Sequence, residues 1–126
     1  MFNLLLVATG GAIGAAGRYG MSTLMLRFAG PQWPWGTFLA NMIGSLLIGL
    51  LAGWLAHRGD GAGPWRLFLS AGVLGGFTTF SAFSMETTLM VERKQWGAAA
   101  TYSLGSVIVG LAAVFAGLWL ARRLFG

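Results

Sequence analysis

The chain has 126 residues, of which 56% are hydrophobic and 9% charged, with one histidine and no cysteine. A soluble domain carries about 25% charged residues, so this chain cannot cover itself with water-binding groups and is read as one domain in a lipid bilayer. Disulfides and thiolate metal sites are excluded, and the net charge of +5 does not mark a nucleic-acid binder, because its basic residues sit at the ends of apolar runs rather than in an aromatic-interleaved patch.

Cutting the chain at its charges predicts an all-α membrane protein with four spans, near 3–27, 34–56, 66–91 and 97–121. A helix needs about 20 apolar residues to cross the hydrocarbon. The first span lacks the basic start of a secretory signal and is read as part of the mature protein. Gly10, Gly14 and Gly17 stripe it, which permits close helix packing. Arg18 is the only full charge clearly inside a span. It either snorkels to an interface or acts as a functional cation. In both cases the bundle carries a buried cation and no central carboxylate, which favours an anion over proton or cation coupling.

The second span opens after GPQWPWG with Pro34 in its first turn, where a missing N–H is tolerated. Asn41, in GTFLANMIGS, either bonds a neighbouring helix or offers two uncharged donors to a small anion. Thr37 lies one turn earlier on the same face. Gly49 and Gly53 repeat the small-residue spacing, as do Gly72 and Gly76 in the third span.

The third span contains GGFTTFSAFS at 75–84, and the midpoint of its uncharged window is residue 76. Paired glycines followed by paired β-branched threonines predict a local unwinding at Gly75-Gly76. Main chain freed near the bilayer midplane is tolerated only where it is buried in protein or lines a cavity, and broken helices build ion sites there. Phe80 and Phe83 follow, three residues apart. They either fill the core or turn positive ring edges toward an anion, with the hydroxyls of Ser81 and Ser84 on the adjoining face. In the fourth span Tyr102 and Ser106 share a face, with Ser103 close by. Their hydroxyls either bond back to the helix or form a ladder of donors. All six tryptophans fall near a predicted span end, as an interfacial belt would.

Four spans put Arg58, Arg66, Arg122 and Arg123 on one face and Arg27, Arg93 and Lys94 on the other. Such a small difference leaves two readings open: a weak orientation bias, or insertion both ways round. Oppositely inserted copies can pair about a two-fold axis in the membrane plane. The breaks would then meet near the axis, and their carbonyls would suit a hard cation such as Na⁺.

GGFTTFSAFS, Asn41 within WPWGTFLAN, and the run GGAIGAAGR at 10–18 together resemble the Fluc (CrcB) family of bacterial fluoride channels. The resemblance covers essentially all four spans. It implies an antiparallel, dual-topology homodimer in the bacterial inner membrane, with two fluoride pores and a central structural Na⁺. By position it implies that Phe80 and Phe83 line the pore, that Asn41 is the pore asparagine, and that the carbonyls of Gly75 and Thr78 bind Na⁺. Tyr102 and Ser106 match the family's polar track, but Gly110 and Val114, the next turns, carry no hydroxyl. Arg18 matches a vestibule arginine. Glu86 either borders the pore mouth or is a simple interfacial carboxylate.

Other classes fit less well. A small multidrug exporter shares the outline but needs a carboxylate in the first span, where this chain has Arg18. A structural subunit of a larger complex would leave the broken span unexplained. An enzyme would need an acid–base pair, and His57, Asp60, Glu86 and Glu92 offer none within the membrane.

Overall fold

The computed structural model describes residues 1–58 and 63–126, and no strand occurs among them. Helix α1 spans Phe2–Ala29 and α2 Trp35–Arg58. Helix α3 is a rod of three stretches: Pro64–Arg66, a π-helical Leu67–Leu74, and Gly75–Phe77. Helix α4 spans Phe80–Glu92 and α5 Trp96–Phe125. Thr78 and Thr79 interrupt the third span in extended conformation, with ψ of 158° and 124°. Asp60 lies outside the described residues.

Among the described residues, three helical segments are long and apolar enough to cross a membrane: Trp35–His57, Pro64–Glu92 and Trp96–Phe125. The fourth helix, α1, has 28 residues, about 42 Å at 1.5 Å per residue, so it has the length. Its interior glycines, with Arg18, Tyr19, Ser22 and Thr23, make it less apolar than the others.

The helices associate as two parallel pairs, α1 with α3 and α2 with α5, and glycines explain both. A Cβ on Gly10 would sit 2.6 Å from Phe68 O and 2.9 Å from Gly72 Cα, while one on Gly14 would overlap Val73 O. On Gly49 it would overlap Val114 O, and on Gly117 Leu46 O. Here backbone lies against backbone. Small-residue contact of this kind drives helix association in lipid, where apolar burial gives little. The stripes read from the sequence as packing are therefore consumed inside one chain.

The buried core is correspondingly small: Thr37, Ala40, Leu74, Met90, Ala99, Tyr102 and Ala121. Large apolar side chains point outward instead, among them Ile13, Leu104, Ile108 and Phe115. That pattern suits a chain surrounded by hydrocarbon. Two turns complete the fold. Pro34 stands just ahead of α2, and its carbonyl accepts the Phe38 N–H at 3.0 Å. Lys94, at φ 61°, turns α4 into α5.

Candidate anion groove at the broken helix

The break is built from three helices. In a continuous helix the Thr79 N–H would bond the Gly75 carbonyl. Here it donates to Asn41 Oδ1 at 2.8 Å, and Asn41 Nδ2 donates back to Thr79 O at 3.0 Å. The side-chain amide thus replaces both halves of a helical peptide pairing. Each such bond contributes about 1 kcal/mol net in water, but an unsatisfied peptide group in hydrocarbon costs several kcal/mol. Thr79 also caps α4, its Oγ1 accepting from Ala82 N at 3.2 Å. On the other side of the break, Arg18 Nε from α1 donates to Gly76 O at 3.3 Å.

These bonds correct the expected mechanism of unwinding. Gly75 and Gly76 are helical, and the chain opens at Thr78–Thr79. Gly76 is needed for approach, because a Cβ there would overlap Gly11 O. Gly44 likewise makes room for the Thr78 methyl, which a Cβ would overlap. The sequence reading gives Thr79 only a β-branched role in the unwinding, although a threonine directly ahead of an apolar helical run is a recognisable cap.

Asn41 and Ser106 come together with Phe80 and Phe83 around a groove of about 260 Å³. The two rings lie 5.8 Å apart and tilted by 44°. Phe80 is 78% exposed, so no core among the described residues holds it. Ser106 Oγ is buried and has no hydrogen-bond partner among the described residues. A buried hydroxyl left unpaired costs about 1–3 kcal/mol, so this one is available to a water or an ion in the groove. Asn41 has one amide hydrogen committed to Thr79, so it presents one free donor rather than two.

The other predicted hydroxyls lie elsewhere. Thr37 and Tyr102 do not line the groove, because both donate to Glu86, at 2.8 Å and 2.7 Å. Tyr102 is 1% exposed and stacks edge-on with Trp33 at 5.6 Å. Glu86 is therefore a bonded acceptor for two helices and not a solitary interfacial group. It faces a second cavity of about 290 Å³ at the 30–36 loop, shared with Thr37, Trp33 and Arg93. Phe83, which lines the groove, packs 5.2 Å from Tyr102. Ser81 pairs with Thr79 Oγ1 at 3.2 Å, and Ser84 is outside the groove lining. Arg18 stands at the break beside Gly76, not at the Glu86 cavity.

A third cavity, about 230 Å³, is bordered by Gly44, Ser45, Ser70, Gly75 and Thr78. The donors that helical bonding would bring to the carbonyls of Gly75 and Thr78 are the N–H groups of Thr79 and Ala82. Both are engaged elsewhere, by Asn41 and by Thr79 Oγ1. Two hard oxygens beside a cavity are the donor type that fits a hard cation.

Comparison with known proteins gives the family. Residues 5–118 match the family model described as CrcB-like protein, Camphor Resistance (CrcB). A protein of Phenylobacterium zucineum named fluoride-specific ion channel FluC is 61% identical over 124 residues, covering 97% of each chain. Proteins of the same name from Caulobacter vibrioides and Agrobacterium fabrum are each 53% identical, the first covering 99% of both chains and the second 99% of this chain and 100% of its own. With a match across nearly its whole length, this chain belongs to the CrcB family.

Proposed function

We propose that the chain is a fluoride channel subunit, and not an enzyme, that lets cytoplasmic fluoride leave the cell by passive conduction. The observation that carries the reading is the groove, where the buried, unpartnered Ser106 hydroxyl lies beside the Asn41 amide between Phe80 and Phe83. The relatives' names supply the anion. Fluoride holds its water tightly, so a path must replace that water with several weak donors that also let go. An amide hydrogen, a hydroxyl and positive ring edges are such donors, and among the described residues no carboxylate lines the groove. Thr37 and Tyr102 can join only by turning away from Glu86. Arg18 contributes a fixed positive charge beside the break, which favours anion entry. Expression in a fluoride-sensitive bacterial strain tests this: growth in fluoride should be restored, and membrane-inserted protein that gives no protection would count against it.

The working unit in this reading is an antiparallel homodimer in the bacterial inner membrane, with two pores. Its support is the uncovered Phe80 ring and the nearly balanced basic residues of the two faces. C-terminal reporter fusions should therefore report both cytoplasmic and periplasmic locations. A population wholly on one side would remove the antiparallel arrangement.

The reading also includes a structural Na⁺ held by the main-chain oxygens of Gly75 and Thr78. The chemistry it would supply when bound is a fixed charge tying the two breaks together. This chain's part is to keep those carbonyls free, through Asn41 and Thr79. Replacing Na⁺ by a large organic cation should lower flux or dimer stability. Gly75→Pro should be far more damaging than Thr78→Ala, since the ligands are backbone. Full function without any Na⁺ would exclude the site.

A further inference from the structure

Past Ser106, α5 carries no further hydroxyl. Gly110 is the next residue on that face of α5, one turn or about 6 Å further on, and it has no side chain. The structure fills this gap from the neighbouring helix. A Cβ at position 110 would lie 3.8 Å from Ser45 Oγ and 3.5 Å from Met42 Cε. Ser45 borders the same groove as Asn41 and Ser106. It stands one turn beyond Asn41 on α2, and α2 runs parallel to α5, so the step from Asn41 to Ser45 advances in the same direction as the step from Ser106 to Gly110.

We propose that Ser45 continues the fluoride path past Ser106, its hydroxyl taking the place that a side chain at position 110 would otherwise supply. This rests on the fluoride-channel reading and names a residue for it. The ordinary fate of a hydroxyl in a membrane helix is to bond back to the carbonyl four residues earlier. Thr9, Thr23, Thr87 and Ser103 all do so here. Ser45 does not: it is half-buried, lines the groove, and its Oγ has no hydrogen-bond partner among the described residues. Two hydroxyls without a protein partner among the described residues, Ser106 buried and Ser45 half-buried, are staggered between parallel helices in one groove and form successive stations for an ion that exchanges water for weak donors. The glycine at 110 is what leaves the second station open.

The arrangement predicts a swap. In purified protein reconstituted in liposomes, Ser45→Ala should lower fluoride flux roughly three- to tenfold, the effect of one lost hydrogen bond. Adding Gly110→Ser to Ser45→Ala should restore most of it, because both neighbours of the new Cβ stand at ordinary contact distance. Chromatography of both variants in detergent reports whether each is folded. Wild-type protein that conducts fluoride, together with a folded Ser45→Ala variant of equal flux, overturns the proposal while leaving the channel reading intact. So does a folded double variant with no recovery. Ser45 also borders the Gly75–Thr78 cavity. A Ser45→Ala effect seen only as a shift in Na⁺ dependence would assign the hydroxyl there and overturn the proposal as well. Wild-type protein that fails to conduct fluoride instead defeats the underlying reading.

Discussion

Phe80→Ile and Phe83→Ile should each yield a folded, membrane-inserted protein whose fluoride flux has fallen at least about tenfold, a barrier rise of about 1.4 kcal/mol. Isoleucine keeps much of the ring's volume and all of its apolarity but has no quadrupole. If the rings only filled space, the change would cost under about 1.5 kcal/mol of stability and leave flux alone. The structure separates the two cases best at Phe80, which is 78% exposed and packs in no core of its own chain. Phe83 is half-buried against Tyr102, so its replacement should add a modest stability loss to the flux defect. Flux and chromatographic behaviour measured on the same preparation distinguish them. Normal flux in both folded variants would remove the rings from the path.

The second large effect is on assembly. Gly14→Val should abolish folded protein, because its first carbon would overlap Val73 O and stand 2.7 Å from Phe77 N. Both are backbone atoms, so no rotamer change relieves the clash and α1 must leave α3. With it goes the Arg18 bond to Gly76, and the break loses one of its two clamps. Gly49→Val should act alike on α2 and α5, through the overlap with Val114 O. Gly20→Ala is the control, since nothing among the described residues lies within 4 Å of the added carbon. Recovery of monodisperse protein from membranes reads all three. A well-behaved Gly14→Val protein would mean that the helix pairs are not joined as described.

Much of this was legible in the sequence because hydrocarbon is a demanding solvent. Charges and apolar runs delimit helices when nothing else can cross, and every intramembrane polar group needs a reason. Asn41, Ser106, Phe80 and Phe83 could thus be singled out before any coordinates, and they do share one groove. Partners were harder to read. Face periodicity puts Thr37 with Asn41 and Tyr102 with Ser106, yet one member of each pair turns to Glu86 while the other lines the groove. Periodicity gives the face and not the level along it. Which peptide within the Gly75–Thr79 stretch opens was harder to read for a related reason. Glycine weakness suggested Gly75-Gly76, but the chain opens where Asn41 and Thr79 can re-satisfy the backbone, three residues on. The hydroxyl beside Gly110 could not be inferred from α5 at all, because it belongs to Ser45 on another helix.

The central claim is that this groove passes fluoride. Its most direct test is efflux from liposomes loaded with fluoride or with chloride, containing the purified wild-type protein and monitored with an ion-selective electrode. The account predicts rapid release of fluoride, retention of chloride, and no release from protein-free vesicles. Folded protein in the vesicles with fluoride retained, or chloride released as fast as fluoride, would contradict it.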